Sequence, residues 1–170
     1  MTRLFPAAAL LLALLGGPGA SAFDACVQIP ELNVVDPGLP LYCGDTRNGN
    51  FLALDVHHLI RNSESGAVLE PVVLRKQIDD SSIPLWAKLN DGSAFQTVKV
   101  YIMIQEFGLP ETYLTLELEG ATVDAIEPIT STEMHRFQER DLERIRLGYS
   151  AVTIEYPGGG SVRLVNGGRQ

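Results

Sequence analysis

The stretch "KQIDDSSIPLWAKLNDGSAFQTVKVYI", residues 76–102, decides how this chain is read. Its middle has the chemistry of one short helix, about 82–90. Ser82 is a good N-cap, because its hydroxyl can accept from a backbone N–H that has no intrahelical partner, and Pro84 is tolerated in a first turn. Leu85 and Leu89 lie four apart with Trp86 beside them, which gives one apolar face, and Asn90-Asp91-Gly92 supplies the stop. Asp79 and Asp80 stand just before the helix, where their charge favours its N-terminus and needs no acid/base role. So short a helix has little stability alone and must pack on something larger.

That larger element reads as β-sheet. In "FQTVKVYIMIQE" (95–106) Val98, Val100, Ile102 and Ile104 share one face, with Thr97, Lys99 and Gln105 on the other. "TYLTLELEGATVDAI" (112–126) repeats the pattern, with Leu114, Leu116 and Leu118 inward and Thr115, Glu117 and Glu119 outward; Gly120 marks a bulge. "FGLPE" (107–111) between them has the residues of a hairpin turn. Upstream, "ACVQIPEL" (25–32) is a first strand. "FLALDVHHLIRN" (51–62) is a second, with Leu52, Leu54, Val56, His58 and Ile60 on one side and Phe51, Ala53, Asp55, His57 and Leu59 on the other. Both sides are apolar, more than one core face needs, which suggests burial against either the helix or a neighbouring copy. "NSESGA" turns the chain into "VLEPVVLRKQID", where Pro71 belongs at an edge or bulge. Residues 131–147 read equally as helix or strand; as a strand, Ile145, Leu147, Tyr149 and Ala151 line one face. "PGGGSVRLVN" (157–166) closes with a turn and a short strand.

The chain has 170 residues, 45% of them hydrophobic and 20% charged, an ordinary globular composition. Residues 1–22 have the basic start, apolar middle and small-residue end of a secretory signal peptide, cleaved between Ala22 and Phe23. The apolar run is short for a membrane span and is broken by Pro6, Gly16, Gly17, Pro18 and Gly19. Lipidation at Cys26 is a poorer fit, since "AFDA" lacks the residues that recognition wants. The expected mature domain is 23–170, in an oxidising periplasmic or extracellular setting where Cys26 and Cys43 form a disulfide. Closing that loop restricts the unfolded chain by roughly 3 kcal/mol.

Formal charge is −8, and more negative by one once Arg3 leaves with the signal. Nucleic acid and anionic lipid are poor partners for such a surface, and no stable membrane insertion is expected. Net repulsion by itself means that self-association should tighten with salt. Adjacent His57 and His58 point to opposite faces of a strand and cannot share a metal; Asp55 and His57 do share a face, with no third ligand in reach. His135 reads as a surface residue. "DTRNGN" (45–50) resembles a calcium loop only loosely, with Arg47 at a ligand position. No hydrolase elbow, zinc-protease helix or phosphate loop occurs. No enzyme activity, catalytic residue, metal or cofactor is expected.

Residues 76–102, with "TYLTLELEGATVDAI" and "ERIRLGYSAVTIEY", resemble the haemolysin-coregulated protein family, Hcp, the tube protein of type VI secretion. The likeness covers about residues 25 to 165. It implies a mainly β fold, a compact Hcp-like β-barrel of two packed antiparallel sheets with one flanking helix at about 82–90, and loop followed by strand over 131–147. It also implies self-association into a ring, by analogy a hexamer that stacks into a tube carrying secreted effectors. Three features depart from the family: the export signal, the shortened loop "NSESGA", and the cysteine pair. They leave a second reading, an exported envelope or binding module that keeps the barrel without building a tube.

Overall fold

A computed structural model describes residues 24–34, 39–40, 43, 50–63, 66–106, 109–129 and 142–166. The signal junction Ala22/Phe23, most of the "DTRNGN" segment and His135 lie outside the described residues. The alternating segments form β7 (Phe95–Glu106) and β8 (Leu109–Ile129), paired antiparallel as the largest ladder. On β7's other edge lie β1 (Ala25–Gln28) and then β2 (Asn50–Ala53). On β8's far side come β9 (Leu142–Gly148), β6 (Val72–Gln77) and β3 (Asp55–His57). Two further strands, β10 (Ala151–Glu155) and β11 (Ser161–Val165), branch from β8, while β4 (Ile60–Ser63) and β5 (Gly66–Leu69) pair, among the described residues, only with each other.

The expected compact barrel of two packed sheets does not form. Among the described residues there is one nine-stranded sheet, seven strands of which follow the path β2-β1-β7-β8-β9-β6-β3, plus a two-stranded hairpin, and no ladder joins the path's ends. Those ends, β2 and β3, are successive segments flanking Leu54, whose N–H donates to Arg75 O at 2.7 Å. The strand that would have closed a cylinder is instead bent, giving its first half to β1 and its second to β6.

That bend also corrects the two-faced reading of 51–62. Phe51 and Ala53 point into the core before Leu54, and Val56 and Ile60 pack on it afterwards. The inward phase switches from odd to even, so both apolar sets are used within one chain. Leu52 is covered as well, against Cys26, Leu39, Cys43 and Met103. Most of the segment's apolar side chains are thus used within one chain, with Leu59 exposed.

A matching slip occurs in β8. Leu116 and Leu118 are inward before Gly120, Ala121 and Val123 after it. Gly120 has φ 58°, a left-handed conformation that a side chain would strain. Here β8 leaves β10 and takes up β9. Ser150 sits opposite, its N–H donating to Glu119 O at 3.0 Å and its hydroxyl to the same oxygen at 2.8 Å. Tyr149 and Ser150 thus break what reads in sequence as one strand into β9 and β10. Pro71 lies just outside β6, between strands, where its missing N–H costs no ladder bond.

The helix is α1 (Ser82–Asp91), ended by Gly92 at φ 66°, whose N–H returns to Lys88 O. Ser82 is its first residue and Ser81 its N-cap, one place earlier than expected, and the Ser81 side chain makes no capping bond. Leu85 seals the core, together with Phe51, Leu74, Phe95, Val98, Val100, Leu116, Leu118, Ile145 and Leu147. Each such aliphatic side chain, fully buried, contributes about 1.5–3 kcal/mol.

Candidate functional site

What α1 covers explains why the sheet is interrupted. On β6, Lys76 keeps the inward phase of Val72 and Leu74; on β9, Glu143 keeps that of Ile145 and Leu147. The ladder sets Lys76 directly opposite Glu143, and both side chains are 0% exposed. The Lys76 ammonium donates to Glu143 Oε1 (3.0 Å), Ser82 Oγ (3.0 Å), Asp79 Oδ1 (2.8 Å) and Gln77 O (2.6 Å). It also lies 5.4 Å from the centre of the Phe51 ring.

From the helix side, Ser82 Oγ donates to Glu143 Oε1 at 2.7 Å and accepts from Asp79 N–H. Trp86 Nε1 donates to Glu143 Oε2 at 3.1 Å. Asp79 also accepts from the N–H and hydroxyl of Ser81. Ser82 and Asp79 are therefore parts of a buried polar anchor: Ser82 reaches the sheet where a cap was expected, and Asp79 acts through Lys76. Buried charges need such complete pairing to be tolerated. These polar groups satisfy one another, so the cluster holds α1 on the sheet.

Sequence reasoning missed this pair. The clue was there, because Lys76 and Glu143 each hold a phase otherwise apolar.

The other candidates separate as follows. His57 is exposed beside Asp55 on the outer side of β3, and His58 turns inward, where its Nε2 meets the Tyr149 hydroxyl. Burial, then the neighbouring His57, lowers the His58 pKa to about 4. Tyr149 donates to Glu70 O at 3.0 Å, and burial raises its pKa. Among the described residues no three of His, Cys, Asp and Glu are placed to hold a metal ion. Cys26 and Cys43 are bonded, with Cα atoms 5.3 Å apart, tying β1 to the loop before β2. No helix of the described residues is long and apolar enough to cross a membrane.

A family model described as "Type VI secretion system effector, Hcp" matches residues 55–156. Among solved structures the fold is similar to that of an Hcp protein at 20% identity, covering 85% of this chain and 98% of that one, with a TM-score of 0.71. It is similar to the secreted protein Hcp3 of Pseudomonas aeruginosa at 19% identity, 85% and 98% coverage and a TM-score of 0.65. For Hcp1 of the E. coli EAEC 042 pathovar the values are 17%, 86%, 98% and 0.64. No curated protein matches the chain.

Proposed function

The chain belongs to the Hcp family of type VI secretion, as a structural, non-enzymatic subunit, and from that premise we propose that it is exported and assembles with copies of itself into a ring, six being the expected number. The observation that carries this reading is the family match over 55–156, which runs from β3 through α1 and its buried anchor to the residue after β10. A ring closes only through a heterologous contact, one patch meeting a different patch on the next copy. A secreted effector is the expected further partner. The signal-like residues 1–22 and the Cys26–Cys43 bond support an exported site of action.

The test is size-exclusion chromatography with light scattering on the mature protein, at low and moderate salt and well above micromolar concentration. A ring-sized species is expected; a monomer throughout sinks the reading in favour of an exported module outside the tube. Mass spectrometry of protein recovered from the periplasm of a Gram-negative host is expected to find Phe23 as the first residue. Retention of Met1 in soluble cytosolic protein contradicts export.

A further inference from the structure

The outer surface of the large sheet carries a cluster of arginines on one half and an excess of carboxylates on the other. One half spans β3, β6, β9 and the end of β8. Arg75 and Arg144 are directly opposed across the β6–β9 ladder, and Arg146 lies on the same side two residues along. All three are exposed. Carboxylates stand on the flanking strands: Asp55 opposite Arg75, Glu127 opposite Arg144, which it meets at 3.4 Å, and exposed Asp124, whose carboxylate lies over Gly148. Among the described residues, Arg75 and Arg146 have no ion-pair partner. Like charges directly opposite on a sheet cost stability, which Asp55 and Glu127 on the flanking strands partly offset.

The second half spans β7, the first part of β8, β10 and β11. Here Glu117, Glu119 and Glu155 outnumber Lys99 and Arg163. Glu119 is held by Arg163 through two bonds of 2.7 Å, and Glu117 meets Lys99 at 3.1 Å. Exposed Glu155 has no cation of its own among the described residues, although it adds to the field that raises the pKa of Lys99. The first half gathers its three arginines on β6 and β9, with Asp55, Glu127 and Asp124 on the strands that flank them, whereas the second has three anions against two cations.

We infer that the Arg75–Arg144–Arg146 face is a docking surface for a second copy of this chain, which presents its Glu117–Glu119–Glu155 face. This rests on the ring reading and adds to it which surfaces meet and what holds them. Two unlike, complementary patches on one molecule form the heterologous contact that a closed ring needs. Their attraction brings two acidic molecules together despite net repulsion. The sign of the salt effect follows. Net charge alone predicts tightening with salt, whereas attraction between these faces predicts loosening.

The experiment is light scattering of the mature protein at about 0.02 M and about 0.3 M salt, either side of the ionic strength at which screening shrinks to about 8 Å. It uses wild type, the double variant Arg75→Glu with Arg146→Glu, and Glu155→Arg. Wild type should dissociate at lower dilution in the higher salt. The double variant should need at least about a tenfold higher concentration to assemble at low salt. Its melting temperature should change little, because the carboxylate introduced at position 75 would face Arg144 as an opposite charge on one side and Asp55 as a like charge on the other. Mixing it with Glu155→Arg should restore assembly, since one reversed head then meets one reversed tail.

Unchanged assembly in the double variant, or tightening of wild type by salt, overturns the docking face and leaves the ring. A wild-type monomer in all conditions overturns the ring and this inference with it. Normal assembly with loss of an acidic effector polypeptide overturns the contact between copies and reassigns the arginines to cargo.

Discussion

The ammonium of Lys76 lies 3.0 Å from the carboxylate of Glu143, in directly opposed positions of β6 and β9 and wholly removed from solvent. Two of the carboxylate's other donors, Ser82 and Trp86, come from α1. The pair is thus the hinge pin between helix and sheet, and each partner is tolerable only while the other is present.

Removing one charge should therefore cost more than removing both. Lys76→Met or Glu143→Leu alone is expected to lose about 3–5 kcal/mol, and the double variant distinctly less than their sum. Urea unfolding of the four proteins in a double-mutant cycle measures this. Additive losses would mean that the two side chains act independently.

Stability should depend on the protonation of His58. Its folded pKa is about 4 against an ordinary 6.5, so between those values the unfolded chain takes up the proton and the folded one resists it. This contribution is complete above about pH 6.5 and declines as pH falls toward about 4, by on the order of 3 kcal/mol in all. Carboxylates add their own acid slope, so the comparison is with His58→Gln, whose stability should fall less between about pH 7 and about pH 4.5. Parallel curves for the two proteins would count against the assignment.

Gly120→Ala is expected to cost about 1–2 kcal/mol, because φ is 58° and the new Cβ would lie 3.0 Å from Ser150 Oγ. Gly148→Ala meets Asp124 Oδ2 at 2.6 Å, but that is the end of an exposed side chain free to swing, and the backbone there is not left-handed. Thermal unfolding should rank Gly120→Ala as the more damaging; the reverse order would show that the phase slip does not depend on glycine.

Reducing the Cys26–Cys43 bond should lower stability by on the order of 2–4 kcal/mol, with a clear drop in melting temperature. It closes a separation of 17 residues, and its two cysteines cluster with Leu39 and Met103. Native exported protein with two alkylatable thiols would refute the bond.

The sequence by itself determined the local elements. Alternation over 95–106 and 112–118 specified strands and their inward faces, because side chains alternate sides whatever the partner. Leu85, Leu89 and Gly92 marked a helix that the structure places at Ser82–Asp91, since caps and periodicity act over a few residues. The likeness to Hcp was legible there too. Only the tertiary structure decided where those faces lead. Leu54 switches the inward phase because its flanking strands pair with β1 and β6, and Gly120 does so because Ser150 closes against Glu119. Both bends leave the sheet an open path where a barrel was expected. Lys76 and Glu143, separated by 67 residues, are a buried pair only through the β6–β9 register, which also sets Arg75 against Arg144. The apolar pattern of each strand sets which side faces the core, but which residue of a distant strand stands opposite is decided only when the two strands pack.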